Sequence, residues 1–306
     1  MSSLTIKPMA VAPFSEAWGL HSLPPFPAAA ARLLQLLAKE EFEPSELMAV
    51  VKSDPMFAAE LLRTVNSARF ARAQEIYGLQ HAAALLGRGT MRSFAIAVSL
   101  RLYLGGVLQR GALARVWRHS LATAVICELL TPAEDRRKQN VMKDAAYLAG
   151  LLHDVGCLGL MALHPQAYTE VLTLAAEQAV ELRSLEIERF GVDHCEAGRW
   201  IAHKWKFSPE LQDVTLYHHD PFRGGDPLTV LEVVKVAASL ADSLGWAVVP
   251  SMVRTPAEAM ASLPPQLHGI IKIHPDEVHQ LVADGIAMFE QSGNAQNARD
   301  TRKRDR

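Results

Sequence analysis

The most apolar stretch of the chain, AYLAGLLHDVGCLGLMAL at residues 146–163, contains two adjacent ionisable residues, His153 and Asp154. Burying an aspartate without a partner costs several kcal/mol or forces the carboxylate to take up a proton. An imidazole beside a carboxylate can share a metal ion or join a hydrogen-bonded network. The pair therefore predicts a partner that comes from elsewhere in the fold.

A membrane span is the alternative interpretation of this stretch, since its length is close to that needed to cross a bilayer. An aspartate in mid-span is costly, however, and three glycines divide the run into short pieces. No basic cluster flanks it to set an orientation. We therefore predict a buried helix ending near Gly156, then a turn and a second short apolar element.

Four further histidines lie on predicted helices or at their edges: His119, His194, His218 and His219. A mixed set of imidazoles and carboxylates suits Fe, Mn, Ni or Zn better than Ca or Mg. Such a set could hold one ion, or two ions about 3.5–4 Å apart that activate water for phosphoester hydrolysis. These ligands are far apart in sequence, so several helices must bring them together.

Each of these histidines also has a structural interpretation without a metal. His119 follows Trp117 closely and could be a packing residue, and His194 could be a polar group at a helix start. The pair His218 and His219 could meet free carbonyls at a helix end. The thiol of Cys157 beside the dyad could respond to redox changes, but its apolar surroundings argue against a low thiol pKa.

The elements that must position these residues are predicted to be helices. Short amphipathic segments are joined by turns, and no alternating strand pattern appears, which predicts an all-α fold. His119 lies in a predicted helix at 112–130. Asp193 is a predicted N-cap, with Glu196 three residues later, for the helix that begins with His194. Another helix is expected at 276–290, and the charged tail 291–306 is predicted to be disordered.

Composition narrows the functional classes. The chain has 306 residues with 49% hydrophobic and 21% charged residues, which is typical of a globular protein. Its net charge of −2 gives no electrostatic reason to expect a nucleic acid or membrane partner. The three cysteines are too scattered for a disulfide framework, and the N-terminus lacks the pattern of a signal peptide. These features predict a cytoplasmic protein.

Several motifs in order resemble known families. LLHDVG, with WRHS upstream, resembles the HD superfamily of metal-dependent phosphohydrolases. LPPFP, VVKSDPMFAAELLRTVNSARF and LQHAAALLGRGTMRSFAIAVSL resemble the HDOD domain, a bacterial relative of that superfamily, and FGVDHCEAGRWIAHKW and LYHHDP continue the match. The resemblance covers about residues 22–245.

The resemblance implies an all-α protein with an N-terminal helical lobe packed on an HD-like helical lobe. The predicted divisions are a lead-in at 1–21, an N-terminal lobe at 22–108, an HD-like lobe at 109–245, a helical extension at 246–290 and the tail. HDOD proteins are usually regulatory modules of signal transduction, and most have no demonstrated enzymatic activity.

The resemblance also implies a ligand set. His119 matches the first superfamily histidine, and His153 and Asp154 match the HD dyad. His194, His218 and His219 match extra histidines of the HD-GYP branch, which hydrolyses cyclic di-GMP. This chain departs from that branch in three ways. It has Cys157 in place of a lysine, it lacks the GYP signature, and it has Ala238 at the expected position of the final aspartate, with Asp242 one helical turn later.

The sequence therefore predicts a regulatory HDOD module that binds a signalling protein or a small nucleotide, with a divalent Fe, Mn, Ni or Zn ion in its HD site. The alternative is a metal-dependent phosphodiesterase or phosphohydrolase acting on a cyclic or linear nucleotide. A third hypothesis is a hydrogen-bonded His153–Asp154 pair without a metal.

Overall fold

The computed structural model describes residues 111–131, 145–224, 228–250, 254–268 and 274–287, with isolated residues between 32 and 91. All regular elements in these ranges are helical and none is a strand, which confirms the all-α class. The lead-in 1–21 and the charged tail lie outside the described residues, as does most of the predicted N-terminal lobe. The predicted domain boundaries and the packing of the two lobes stay predictions.

The described helices are named in chain order. They are α1 at Gly111–Leu130, α2 at 145–152, α3 at Val155–Leu163, α4 at Pro165–Gln178, α5 at Leu182–Phe190, α6 at His194–Lys204, α7 at Pro209–Tyr217, α8 at Val230–Ala241, a π-helical turn at Asp242–Trp246, α9 at Pro256–Ala261, a 3-10 turn at Pro265–Leu267 and α10 at 275–287. The helix predicted at 276–290 is thus observed over its described residues, 275–287.

The apolar stretch folds differently from the prediction, because its first helix ends at residue 152 and not near Gly156. His153 and Asp154 form the turn, and Gly156 lies in the first turn of α3. A Cβ on Gly156 would lie 1.9 Å from the carbonyl oxygen of His194. This glycine is therefore needed where α3 meets the start of α6, and it does not end a helix.

Residues 145–163 are long and apolar enough to cross a membrane on length and composition alone. In the fold, 83% of the apolar window in this stretch is buried inside the protein. A core helix meets the same criterion, so the stretch is weak evidence for a membrane span.

Local capping explains where the helices around the site begin. The Asp193 carboxylate accepts a hydrogen bond from the backbone N–H of Glu196, which confirms the predicted cap of α6. Arg183 donates to the same carboxylate at 2.7 Å. The hydroxyl of Ser208 caps α7, whose first residue is Pro209.

The helices pack so that one interior region is shared by five of them. α3 packs on α6, α1 packs on α8, α1 also contacts α3, and α7 contacts both α6 and α8. Fully buried side chains such as Leu121, Ile126 and Leu151 fill the surrounding core. The turn between α2 and α3 lies in this region, so its two polar side chains point into an interior bounded by other helices.

Candidate metal centre

Six candidate residues meet at one place in the structure. They are His119 on α1, His153 and Asp154 in the turn between α2 and α3, His194 at the start of α6, and His218 and His219 directly after α7. The Nε2 atoms of His218, His153, His194 and His119 lie 3.2, 3.4, 3.7 and 3.8 Å from an oxygen of the Asp154 carboxylate. All five of these side chains are buried.

The other ring nitrogen, Nδ1, fixes the orientation of three of these histidines. The acceptors are Trp246 O at 3.0 Å for His119, Gly150 O at 2.7 Å for His153, and Thr215 O at 3.1 Å for His218. A backbone carbonyl can only accept, so in each ring Nδ1 carries the proton and donates. In a neutral ring Nε2 is then an acceptor, and these acceptors face the centre.

His194 is oriented by a carboxylate instead. Its Nδ1 donates to Oε2 of Glu186 at 2.7 Å, and its backbone N–H donates to the same oxygen at 2.9 Å. The hydroxyl of Tyr168 donates to the other oxygen of Glu186, which is fully buried. This chain of bonds holds the His194 ring with Nε2 towards Asp154.

The cluster therefore brings several hydrogen-bond acceptor atoms close together with too few protons for each to receive a hydrogen bond. Oδ1 of Asp154 and Nε2 of His218 are buried and have no hydrogen-bond partner, although they lie 3.2 Å apart. Two acceptors at that distance repel each other unless a proton or a metal cation lies between them. The donor set of imidazole nitrogens and one carboxylate fits a first-row transition ion.

Burial and charge also determine which rings hold protons in the absence of an ion. Burial lowers the pKa of His153 to about 3, so that this ring is neutral at neutral pH. Burial also lowers the pKa of His194, but the Glu186 carboxylate that accepts from its Nδ1 raises it, and the pKa lies well above its usual value overall. A metal ion that binds here must displace the proton on His194.

His219 completes the cluster from an exposed position. Its Nε2 lies 2.9 Å from Nε2 of His194, and the ligand atoms of His194, Cys195, His218 and His219 lie within 4.8 Å of one another. Cys195 did not emerge from the sequence as a candidate. Its thiol is buried beside the histidines at the start of α6.

The Asp242 carboxylate also contacts the cluster, but at the edge of the His119 ring that faces away from Asp154. Its Oδ1 lies 3.3 Å from Nδ1 of His119, whereas Nε2 of His119 faces Asp154. Ala238 lies in the wall of the adjoining cavity and offers no ligand atom. Asp242 is thus placed to orient a candidate ligand histidine in the manner of the carboxylates that orient metal-binding histidines.

Glu186 is the main residue of the candidate site that was not predicted from the sequence. It falls on the apolar stripe of α5, one turn after Leu182, beside Leu185 and one turn before Phe190. A carboxylate on the buried face of a helix needs a partner, and that spacing is the signal that could have identified it.

Cys157 stays a thiol in this environment. Burial and the Asp154 carboxylate raise its pKa to about 12, opposed by His194. The thiol is therefore a poor nucleophile at neutral pH, as its apolar surroundings predicted.

A cavity of about 380 Å³ adjoins the centre. Its wall includes His119, His153, His218 and His219 on one side and Lys235 of α8 on another. Residues of the C-terminal extension, including Ala259 and Leu263, also line it. The ammonium of Lys235 donates to Oε1 of Glu232 at 2.8 Å, so its charge is partly balanced.

Comparison with known families identifies the domain. The HDOD domain profile matches residues 23–221, which is more than half of the chain. The chain belongs to the HDOD domain family. The profile includes His119, the dyad and the histidines after α7, whereas Asp242 and the C-terminal extension lie beyond it. The C-terminal part of the cavity wall is thus formed outside the matched domain.

Solved structures share the fold of this HDOD protein. One is an HDOD domain protein of unknown function from Geobacter sulfurreducens, 21% identical, with a TM-score of 0.69 and coverage of 90% of this chain and 98% of that one. Another, from Shewanella amazonensis SB2B, is named "Putative phosphohydrolase". It is 25% identical, with a TM-score of 0.65 and coverage of 91% and 98%.

A curated relative matches along part of its length. It is an uncharacterized protein from Treponema pallidum (strain Nichols), 22% identical over 203 residues, which make up 66% of this chain. The match spans 38% of the length of that relative.

Proposed function

We propose that this HDOD protein is a regulatory module that binds one or two divalent transition ions, of Fe, Mn, Ni or Zn, at the cluster around Asp154. The observation that supports a metal is the convergence of imidazole Nε2 atoms on a buried carboxylate whose Oδ1 has no hydrogen-bond partner. A bound cation would relieve the repulsion between these acceptors.

The two carboxylate oxygens divide the candidate ligands into two groups. Oδ2 of Asp154 faces His119 and His153, whereas Oδ1 faces His194 and His218. His219 stands beside His194 at the exposed edge. Asp154 is therefore the ligand that two ions would share, and its loss would remove the centre as a whole.

A regulatory role is favoured over catalysis by what this chain lacks. Cys157 occupies the position of a lysine in the HD-GYP branch that its motifs resemble, and a buried thiol cannot supply the positive charge that stabilises a phosphoryl transition state. In this proposal the metal centre holds a signalling-competent conformation, and the output is binding of a signalling protein or a small nucleotide.

A metal-dependent phosphohydrolase is the second candidate, and the cavity beside the centre favours it. The cavity is large enough for a small phosphoester, and Lys235 in its wall carries a positive charge near the metal candidates. A bound ion would polarise the phosphoryl group and lower the pKa of its water. The Shewanella relative bears a phosphohydrolase name.

The deciding experiment is elemental analysis of untagged protein purified without chelator. We expect one or two equivalents of Fe, Mn, Ni or Zn in the wild type and less than a tenth of that in Asp154→Ala. His203→Ala is the matched control, since His203 is an exposed histidine on α6. Circular dichroism verifies that both variants are folded. A wild-type protein without metal, even after addition of these ions, would exclude the proposal.

The same preparations separate the two candidates. Metal-loaded wild type is incubated with cyclic dinucleotides and with bis(p-nitrophenyl) phosphate. A regulatory module shows bound metal and no turnover. Turnover that Asp154→Ala abolishes and that Lys235→Met reduces at least tenfold would establish the phosphohydrolase instead.

A further inference from the structure

A second cavity, of about 440 Å³, lies next to the first and shares no lining residue with it among the described residues. Arg115 and Arg118 of α1 line one side of it. Trp246 of the π-helical turn also lines it, and α10 contributes Ala283, Ile286 and Ala287. None of the residues that line this cavity in the described part of the chain is acidic.

Arg115 is the unusual member of this cavity. Its side chain is half-buried, and its Nε donates to the carbonyl oxygen of Val248 at 3.1 Å. Within the described ranges, no carboxylate and no other acceptor pairs with its two terminal nitrogens. A guanidinium that has lost part of its hydration gains most from a bidentate anion such as a phosphate or carboxylate.

The opposite wall of this cavity is suited to binding an apolar or planar chemical group. Ala283, Ile286 and Ala287 lie three and four residues apart, so they share one face of α10. Two alanines leave room on that face. The indole of Trp246 is half-buried and is already supported by the ring of His279, with centroids 4.6 Å apart. A supported indole is a rigid surface against which another ring can stack.

We propose that this cavity is a binding site for a small organic phosphate with a flat ring. Its anionic head binds the guanidinium groups of Arg115 and Arg118, and its ring packs between Trp246 and the small residues of α10. The cavity volume lies within the range of small-molecule sites and is sufficient for a nucleoside monophosphate. The site does not require a metal, so it is independent of the function proposed for the Asp154 cluster.

The test is isothermal titration of the full-length protein with three probes: adenosine monophosphate, adenosine and inorganic phosphate. Adenosine monophosphate should bind at least tenfold more tightly than either of the other two, since only it has both head and ring. The Asp154→Ala variant should bind it equally well, which separates this site from any phosphate bound at a metal centre.

Two kinds of variant locate the binding. Arg118→Ala should weaken binding of adenosine monophosphate about tenfold, as loss of one charge-assisted hydrogen bond predicts. Arg199→Ala, an exposed arginine on α6, is the matched control and should not change it. Ala283→Leu fills the space beside the apolar wall. It should weaken the binding of adenosine monophosphate and leave the binding of inorganic phosphate unchanged.

Three outcomes would overturn the proposal. The first is the absence of measurable binding of adenosine monophosphate at millimolar concentration. The second is equal affinity for inorganic phosphate and the nucleotide, which would leave no role for the apolar wall. The third is binding that survives both Arg118→Ala and Ala283→Leu in folded protein, which would place the nucleotide elsewhere.

Discussion

The two sides of the Asp154 cluster are built differently. On the side of α3 and α6, backbones meet so closely that Gly156 has no room for a methyl group, and the orienting carboxylate, Glu186, is fully buried. On the side of α1 and the π-helical turn, the orienting carboxylate of Asp242 is 48% exposed and a cavity adjoins the ring of His119.

This difference assigns separate roles to the two sides. The buried side is fixed by packing and by charge-assisted hydrogen bonds, so its ligand atoms stay in place without an ion. The open side borders both cavities. The backbone oxygen of Trp246 accepts from His119, and Trp246 also lines the second cavity, which contains Arg115 and Arg118. The open side therefore joins the cluster to a cavity, whereas the buried side holds its side chains in fixed orientations.

The largest expected effect comes from Gly156→Ala on the buried side. The added methyl group must push α3 away from the carbonyl of His194, which we expect to cost about 3 kcal/mol, at the upper end of overpacking costs. The metal content should fall together with the free energy of unfolding, measured by urea denaturation.

Gly198→Ala on the facing helix is the matched control. Its Cβ would lie 3.3 Å from the Cβ of Thr215 and 3.4 Å from the nitrogen of Gly156, a small overlap that neighbours can relieve. It should therefore cost clearly less. Equal stability of Gly156→Ala and the wild type would show that the close contact does not hold this side together.

The second effect in size is expected from Glu186→Gln. The substitution preserves shape but removes the negative charge that accepts from Nδ1 of His194. Loss of such a carboxylate partner weakens metal binding by about 10–100-fold. Competition with a fluorescent zinc chelator measures the change. Glu188→Gln, an exposed glutamate on the same helix, should leave the affinity unchanged.

The smallest effect is expected from Asp242→Asn on the open side. Nδ1 of His119 keeps a second acceptor, Trp246 O at 3.0 Å, so the ring remains oriented when the charge is lost. Water also screens a half-exposed carboxylate. We expect the same competition assay to show a change of less than tenfold. A loss as large as that of Glu186→Gln would mean that Asp242 is itself a ligand.

Local sequence predicted most of the helices that position the site. The cap at Asp193 is a short-range signal, and it begins the helix expected from it. The helix predicted at 112–130 is observed at Gly111–Leu130. The end of the helix before the dyad was placed wrongly, because Gly156 was interpreted as a helix stop although its lack of a side chain serves a contact with His194.

The sequence by itself determined the all-helical class, the family and the identities of the polar residues that need partners. Only the tertiary structure decided that Glu186 orients His194, that Asp242 meets the far edge of His119, and that Arg115 faces a cavity. Helix patterns depend on residues within a few positions of one another, and such patterns are visible in the sequence itself. The contacts that orient the site join residues as distant as His119 and Trp246, and only packing of whole helices sets those distances.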